Sequence, residues 1–296
     1  MISGNVPAHL TVGARTGFLV SLKEKTYAWS QIAAQINLTA KSQDLVDLGA
    51  APMPVEDAAI QVQDMIEKSL TVKPRDWNLT VFISKNSVDD DQTGTLNAKV
   101  RSAGRNFQRA IDNRVFQVLD AGDATTYGLC YDGLSFFNDS HVDAGAAYTT
   151  TQDNLRASAL SLDNFDTVLT VAQGTRDDQG EETNYNYDLI VTSPTLARTA
   201  FQITSNPEAY DTSNRERNPY IGMKSLIHPK MGTTSWVLIA SSEATKPLGV
   251  VMREPPNLQD SWFDPLARDG GRYYFKFFAR YDVVYLDWRL AYLGAT

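Results

Sequence analysis

Residues 95–122 read TLNAKVRSAGRNFQRAIDNRVFQVLDAG, and this stretch decides how the rest of the chain is interpreted. Leu96, Val100, Ala103, Phe107, Ala110, Ile111, Val115, Val118 and Leu119 recur three or four residues apart, the spacing that gathers side chains on one face of an α-helix. Ala121-Gly122 supplies the stop, because glycine adopts the left-handed cap conformation without a β-carbon penalty. The spacing predicts one amphipathic helix over 95–121, about 40 Å long at 1.5 Å per residue. A helix of that length can act as the backbone of a flat subunit.

Immediately before it, Asp89-Asp90-Asp91-Gln92-Thr93-Gly94 opens like a calcium loop, but Val100 stands at the twelfth position, where a bidentate glutamate is needed. The carboxylates read better as partners of the positive helix end, with Thr93 or Thr95 capping free amides. Further upstream Leu70 and Val72, then Trp77, Leu79, Val81 and Ile83, alternate with mostly polar residues at the period of a β-strand. Lys73-Pro74-Arg75-Asp76 suits a turn, so the two runs predict a hairpin. With so little apolar area the ribbon is expected to find its partner elsewhere. Ala50–Pro54 is a connector, after which Ala59, Val62 and Ile66 recur at helical spacing. From Leu10 to Asn37 the sequence has helical character, with Phe18, Leu19, Leu22, Tyr27, Trp29, Ile32 and Ala33 in a ragged stripe broken by Gly13 and Gly17. This predicts an arm that cannot fold alone and lies on another part of the assembly or on a neighbouring copy.

Downstream, 127–151 reads as an irregular loop, 154–174 as a helix and 176–186 as a solvated acidic loop. Tyr187–Thr192 reads as a buried strand, and Ser193-Pro194 as the start of another helix. Asn206–Asn218 has the composition of an exposed loop. Strands are expected at 224–228, 236–241 and 248–253, interrupted at Pro255-Pro256, and a long strand or hairpin at 272–295.

The 296 residues carry 43% hydrophobic and 21% charged residues, ordinary for a soluble protein, and no apolar window reaches the ~18 residues of a membrane span. Met1–Leu10 lacks the pattern of a secretory signal, and folding in a reducing cytoplasm is expected. Cys130 is the single cysteine, which excludes an intrachain disulfide and a thiolate cluster. A net charge of -8 argues against phosphate neutralisation as the main task. Of three histidines, His9, His141 and His228, His141 follows Asp139-Ser140 without a glycine-flanked nucleophile and reads as a polar loop residue. Asp177-Asp178 and Glu181-Glu182 read as solvated rather than catalytic. Walker, dinucleotide and zinc spacings are missing, so no catalytic, cofactor-binding or metal-binding residue is assigned and the chain reads as a non-enzyme.

The order of several short motifs resembles the major head subunit of Mu-like phages, a family with the Hong Kong 97 fold of tailed-phage capsids. The motifs are Gly13-Ala14-Arg15-Thr16 with Phe18-Leu19, Ile32-Ala33, Lys41-Ser42, Leu48-Gly49, Asn78-Leu79-Thr80-Val81 and Val88-Asp89-Asp90-Asp91. Tyr131-Asp132-Gly133 with Phe136-Phe137 and His141 follows, and Asp287-Trp288-Arg289-Leu290-Ala291-Tyr292 resembles the closing strand. Three departures stand out: the Arg-Glu-Trp common after the proline connector is missing, Val142 replaces a frequent proline, and the acidic loop from Asp177 differs.

The resemblance implies an α+β capsid fold with an N-arm at 1–44, an extended E-loop at 45–88 and a P-domain at 89–186 that includes the spine helix 95–121. An A-domain at 187–242 and a return to P-domain strands at 243–296 complete it. Phe18, Leu19, Leu70, Val72, Trp77, Leu79 and Val81 are then the expected inter-subunit contacts, and Leu96, Val100, Phe107, Ile111 and Val118 the core of the spine helix. It implies self-assembly into pentamers and hexamers of an icosahedral head in the virion, built in the host cytoplasm around double-stranded DNA without sequence-specific binding. Scaffold, portal and decoration proteins would be partners, with no cofactor and no membrane. Some members carry a covalent Lys–Asn cross-link for which Lys68 or Lys73 could be imagined as donor, but no acceptor or catalytic acid is identifiable and the cross-link is not expected here. Two alternatives remain: an encapsulin-type cargo shell of the same fold, and a soluble carboxylate-dependent hydrolase, which needs paired acids in a cleft.

Overall fold

The long helix, α3 (Thr95–Asp120), is the longest helix of a computed structural model that describes residues 6–48, 50, 67–90, 95–142, 146–208, 217–267 and 270–295. Before it come α1 (Ala8–Leu22), β1 (Ala33–Asn37), β2 (Gln43–Leu48), β3 (Glu67–Val72), β4 (Arg75–Ser84) and the short α2 (Lys85–Asp89). After it come β5 (Leu155–Arg156), α4 (Leu162–Gln173), β6 (Leu189–Thr192), α5 (Ala197–Ser205) and β7 (Lys224–Ile227). The chain closes with β8 (Trp236–Ile239), β9 (Leu248–Asp264), β10 (Arg272–Tyr285) and β11 (Ala291–Gly294).

Two sheets carry the body. The first has the order β1-β9-β10-β4, with β1 parallel to β9 and the other pairs antiparallel. Its longest uninterrupted alternation is in β10: Tyr273, Phe275, Phe277, Ala279 and Tyr281 are buried while the residues between them are half-buried. That face meets α3, whose Val100, Ala103, Phe107, Ile111, Val115 and Val118 are buried in the same cluster. The side chain of Leu96 lies outside the described residues. The second sheet has the order β5-β11-β8-β6-β7. It is packed by α4 and α5 through Leu162, Phe165, Val168, Ala200 and Ile203 against Ile190, Trp236, Leu238 and Tyr292.

The expected hairpin is corrected. Its two strands exist but do not pair: β3 is antiparallel to β2, with Leu70 opposite Leu45, whereas β4 joins the first sheet, with Leu79 opposite Phe277. Residues 73–74 do separate the two strands, but a strand pairs where its apolar face finds the most cover, and β4 finds it on β10. The unsupported arm is corrected too. Helix α1 lies directly on α3, where small residues allow close approach: a β-carbon on Gly104 would overlap Ser21 Oγ and sit 2.9 Å from the Phe18 carbonyl oxygen. Gly17, read from sequence as a break, instead lets α1 meet Asn97 and Val100. Residues 33–37 are the parallel edge strand β1 rather than helix.

Other differences have local causes. β9 runs through Pro255-Pro256 because β1 has already ended at Met252, so the prolines sit on a free edge beside register shifts opposite Phe278–Tyr281. The helix expected from Asn154 begins at Leu162, where the Ser161 hydroxyl accepts from the Asn164 amide at 3.2 Å. The acidic loop is not all solvated: Asp178 is buried and accepts from the Ala50 amide at 2.9 Å. Asp91–Gly94 of the calcium-like segment and the expected helix around Ala59, Val62 and Ile66 lie outside the described residues.

Candidate assembly surfaces

Stability inside the subunit comes first, because it decides which side chains remain for neighbours. Phe18 is fully buried, stacked on Phe277 at 4.2 Å and edge-on to Phe107 at 5.8 Å. Val72 is buried in a small cluster with Leu38 and Val251. Both are corrected as inter-subunit contacts, since their own chain covers them. Trp77, Leu79 and Val81 are half-buried against the main cluster, and Trp77 stacks on Tyr281 at 5.0 Å. Leu70 is half-buried on the small cluster; Leu19 is exposed on the outer side of α1.

Buried polar ties lock the loops that sequence reading left irregular. Asn154, fully buried, donates through Nδ2 to the carbonyls of Phe136, Trp288 and Ala291 at 2.9, 3.2 and 3.2 Å and accepts from the Asn138 amide at 2.8 Å. His141 is not a solvated loop residue. Its Nδ1 lies 2.5 Å from Asp132 Oδ2, both side chains are fully buried, and its ring stacks on Trp288 at 4.2 Å. His228 Nε2 meets Asp112 Oδ2 at 3.1 Å while its Nδ1 accepts from the Lys230 amide, so the ring donates to the carboxylate. The other oxygen of Asp112 accepts from the Trp29 amide at 2.9 Å, tying the N-terminal segment to α3. Asn154, His141, His228 and Asp112 thus each have structural partners. Burial, with Asp132 nearby, pushes the Cys130 thiol well up, which disfavours the reactive thiolate.

Among the described residues no group of three or more His, Cys, Asp and Glu is placed to hold a metal ion, and no helix is long and apolar enough to cross a membrane. A cavity of about 500 Å³ separates the β2–β3 pair from the body. Ile36, Leu45, Leu70, Tyr285 and Leu286 line it, together with Asp44, Asp287, Lys68 and Lys246. The pairs Asp177-Asp178 and Glu181-Glu182 are not in its wall. Lys68 is buried, its ammonium 4.6 Å from the Tyr131 ring centroid, whereas Lys73 is exposed.

Three apolar surfaces stay open. Val46 on β2 is 55% exposed, and on α1 Val12, Leu19 and Val20 face outward. The outer face of the first sheet carries an aromatic row in which Trp262 stacks on Tyr274 at 5.1 Å, Tyr274 meets Phe82 at 6.1 Å, and Phe82 is half-exposed beneath Arg272. Aromatic side chains beside arginine are the composition of energetic centres in protein interfaces.

A long helix backing a mixed four-stranded sheet, a second helix-flanked sheet and a separate two-stranded ribbon match the Hong Kong 97-type capsid fold. The chain superposes on the procapsid subunit of bacteriophage JBD30 with a TM-score of 0.59 at 20% identity, covering 99% of this chain and 76% of that one. It superposes on the capsid subunit of cyanophage P-SCSP1u with a TM-score of 0.59 at 10% identity, covering 92% and 88%. Residues 8–159 match the family of the Mu-like prophage major head subunit gpT, and the chain belongs to that family. A curated relative, the Mu-like prophage FluMu major head subunit of Haemophilus influenzae, is 27% identical over 133 residues. The aligned stretch is 45% of this chain and 42% of that relative, so less than half of the relative's length is matched.

Proposed function

We propose that the chain is the structural subunit of a tailed-phage head, assembling as pentamers and hexamers into an icosahedral shell around double-stranded DNA, without chemistry of its own. Membership in the head-subunit family carries this reading. The open apolar surfaces support it, because a shell is held by many modest contacts repeated under closed symmetry. Assembly takes place in the host cytoplasm with scaffold, portal and decoration partners, and the product is part of the virion.

In this reading the N-arm is shortened from 1–44 to residues 1–32, since β1 belongs to the body sheet and β2 to the ribbon, and it contributes Val12, Leu19 and Val20 to neighbours. The E-loop is drawn more tightly than from sequence, as β2, β3 and the residues between them, since β4 belongs to the body sheet. The P-domain comprises α3 with the β1-β9-β10-β4 sheet. The A-domain starts near Leu160, because α4 shares a core with β6 and β8, and includes β11. Maturation is a rigid-body shift of these parts with redocking of the ribbon.

The test is electron microscopy and sedimentation of the expressed chain beside a variant in which a short Asn-Gly turn replaces residues 49–66, an excision that spares β4. The full chain should form closed megadalton particles; the variant should fold without closing shells. Closed shells from the variant would remove the ribbon's role, and a deep-clefted monomer from the full chain would return the hydrolase reading. A cargo shell of the encapsulin type shares the fold, and nuclease-protected DNA in purified particles separates a virion from it.

A further inference from the structure

Between Asp91 and Asp112 the sequence has no acidic residue but carries Lys99, Arg101, Arg105 and Arg109, in a chain of 35 acidic and 27 basic residues. The fold gathers these charges on one side. Helix α3 buries Val100, Ala103, Phe107 and Ile111 and leaves Lys99, Ser102, Arg105, Asn106 and Arg109 exposed, with Arg101 at the seam with α1. Lys23 and Lys25 extend the patch from the end of α1. The Lys25 ammonium lies 5.2 Å from the Tyr27 ring, and the Tyr27 hydroxyl donates to the Arg105 carbonyl at 3.1 Å. Glu24 is the acid that pairs here, 3.5 Å from Arg101 and 3.1 Å from Arg105. Among the described residues Arg109 meets only the neutral Asn106 amide oxygen, at 2.6 Å, and Lys99 has no acid within ion-pair distance.

Like charges on neighbouring turns repel, and the helix itself carries no carboxylate among them, with Glu24 alone bridging Arg101 and Arg105. Such an arrangement suits an external polyanion. From residue 99 to 109 the helix rises about 15 Å. Over that length a DNA duplex presents about nine phosphate charges. Ser102 and Asn106 add neutral groups of the kind that hydrogen-bond phosphate oxygens without reading bases. We propose that this stripe of α3, with Lys23 and Lys25, faces the interior of the head and contacts the phosphate backbone of the packaged duplex. The inference rests on the capsid reading above and names the inward face; the net charge of -8 conceals a local basic strip.

The test compares the full-length chain with a variant carrying Lys99→Gln, Arg101→Gln, Arg105→Gln and Arg109→Gln. A charge-matched control carries Lys41→Gln, Lys73→Gln, Arg198→Gln and Lys230→Gln, all exposed elsewhere. Circular dichroism confirms folding, and anisotropy of a short labelled duplex is followed from 50 to 200 mM salt. Loss of two to four phosphate contacts, depending on whether Arg101 and Arg105 leave Glu24, should flatten the slope of log affinity against log salt by about 1.8 to 3.6, roughly a 12- to 150-fold smaller change over that range. The control should keep the original slope, and shells of the stripe variant should form but protect less DNA from nuclease. An unchanged slope overturns the proposal. So does loss of shells with duplex binding intact, which would assign the cations to a neighbouring copy. Tighter binding of polyglutamate than of duplex overturns it in favour of an acidic protein segment. Failure of the unsubstituted chain to form shells counts against the capsid reading and is scored separately from the slope.

Discussion

Strands β10 and β3 both alternate apolar and polar residues, yet they meet opposite fates. In β10 the inward residues Phe275, Phe277, Ala279 and Tyr281 are fully sealed beneath α3 and α1. In the β2–β3 pair the apolar residues rest on three buried side chains, Leu38, Val72 and Val251, with Leu45 and Leu70 half-covered and Val46 open. A two-residue period establishes that a strand has two faces, but not how much apolar surface arrives to cover either. The body therefore holds most of the stability, and the ribbon keeps apolar surface open.

The sharpest way to break this contrast is a cavity in each region. Phe277→Ala removes a ring stacked on Phe18 and should cost about 3–5 kcal/mol in urea unfolding. Leu70→Ala in the ribbon should cost about 1 kcal/mol, because a half-buried side chain has less transfer energy to lose. Equal losses would mean that the ribbon belongs to the cooperative core. Next comes Gly104→Ala, which forces α1 away from α3 and should cost about 1–3 kcal/mol through overpacking. An unchanged melting temperature would show that α1 is not a firm part of the body. The smallest stability effect is expected for Val46→Asp, within about 0.5 kcal/mol as for other exposed sites. That variant should nevertheless sediment as small species rather than shells, and normal shells from it would remove the ribbon from the assembly contacts.

What could be read from sequence follows the range of the interactions. Helix α3, strand β6 and the turn into α5 were legible because local spacing, a glycine stop and a proline start act within a few residues. The pairing of β4 with β10 was not, since its partner lies about 200 positions away and turn chemistry between β3 and β4 suggested a nearer one. Gly17 looked like a helix breaker because its reason, the approach of α3, is absent from the local sequence. His141 and Asp178 looked solvated for a similar reason: composition around them is polar, while Trp288 and Ala50 come from distant segments.

The sequence by itself determined the long amphipathic helix, the presence and period of most strands, and, through the order of short motifs, the kinship to phage head subunits. Only the tertiary structure decided that α1 belongs to its own body, that the ribbon is β2 with β3, and that Lys99, Arg105 and Arg109 stay exposed on α3 while Arg101 lies at the seam with α1. Periodicity reports which way a side chain points along its own element. What it meets there depends on chain segments tens to hundreds of residues away, and that meeting sets both the stability and the surface left over for assembly.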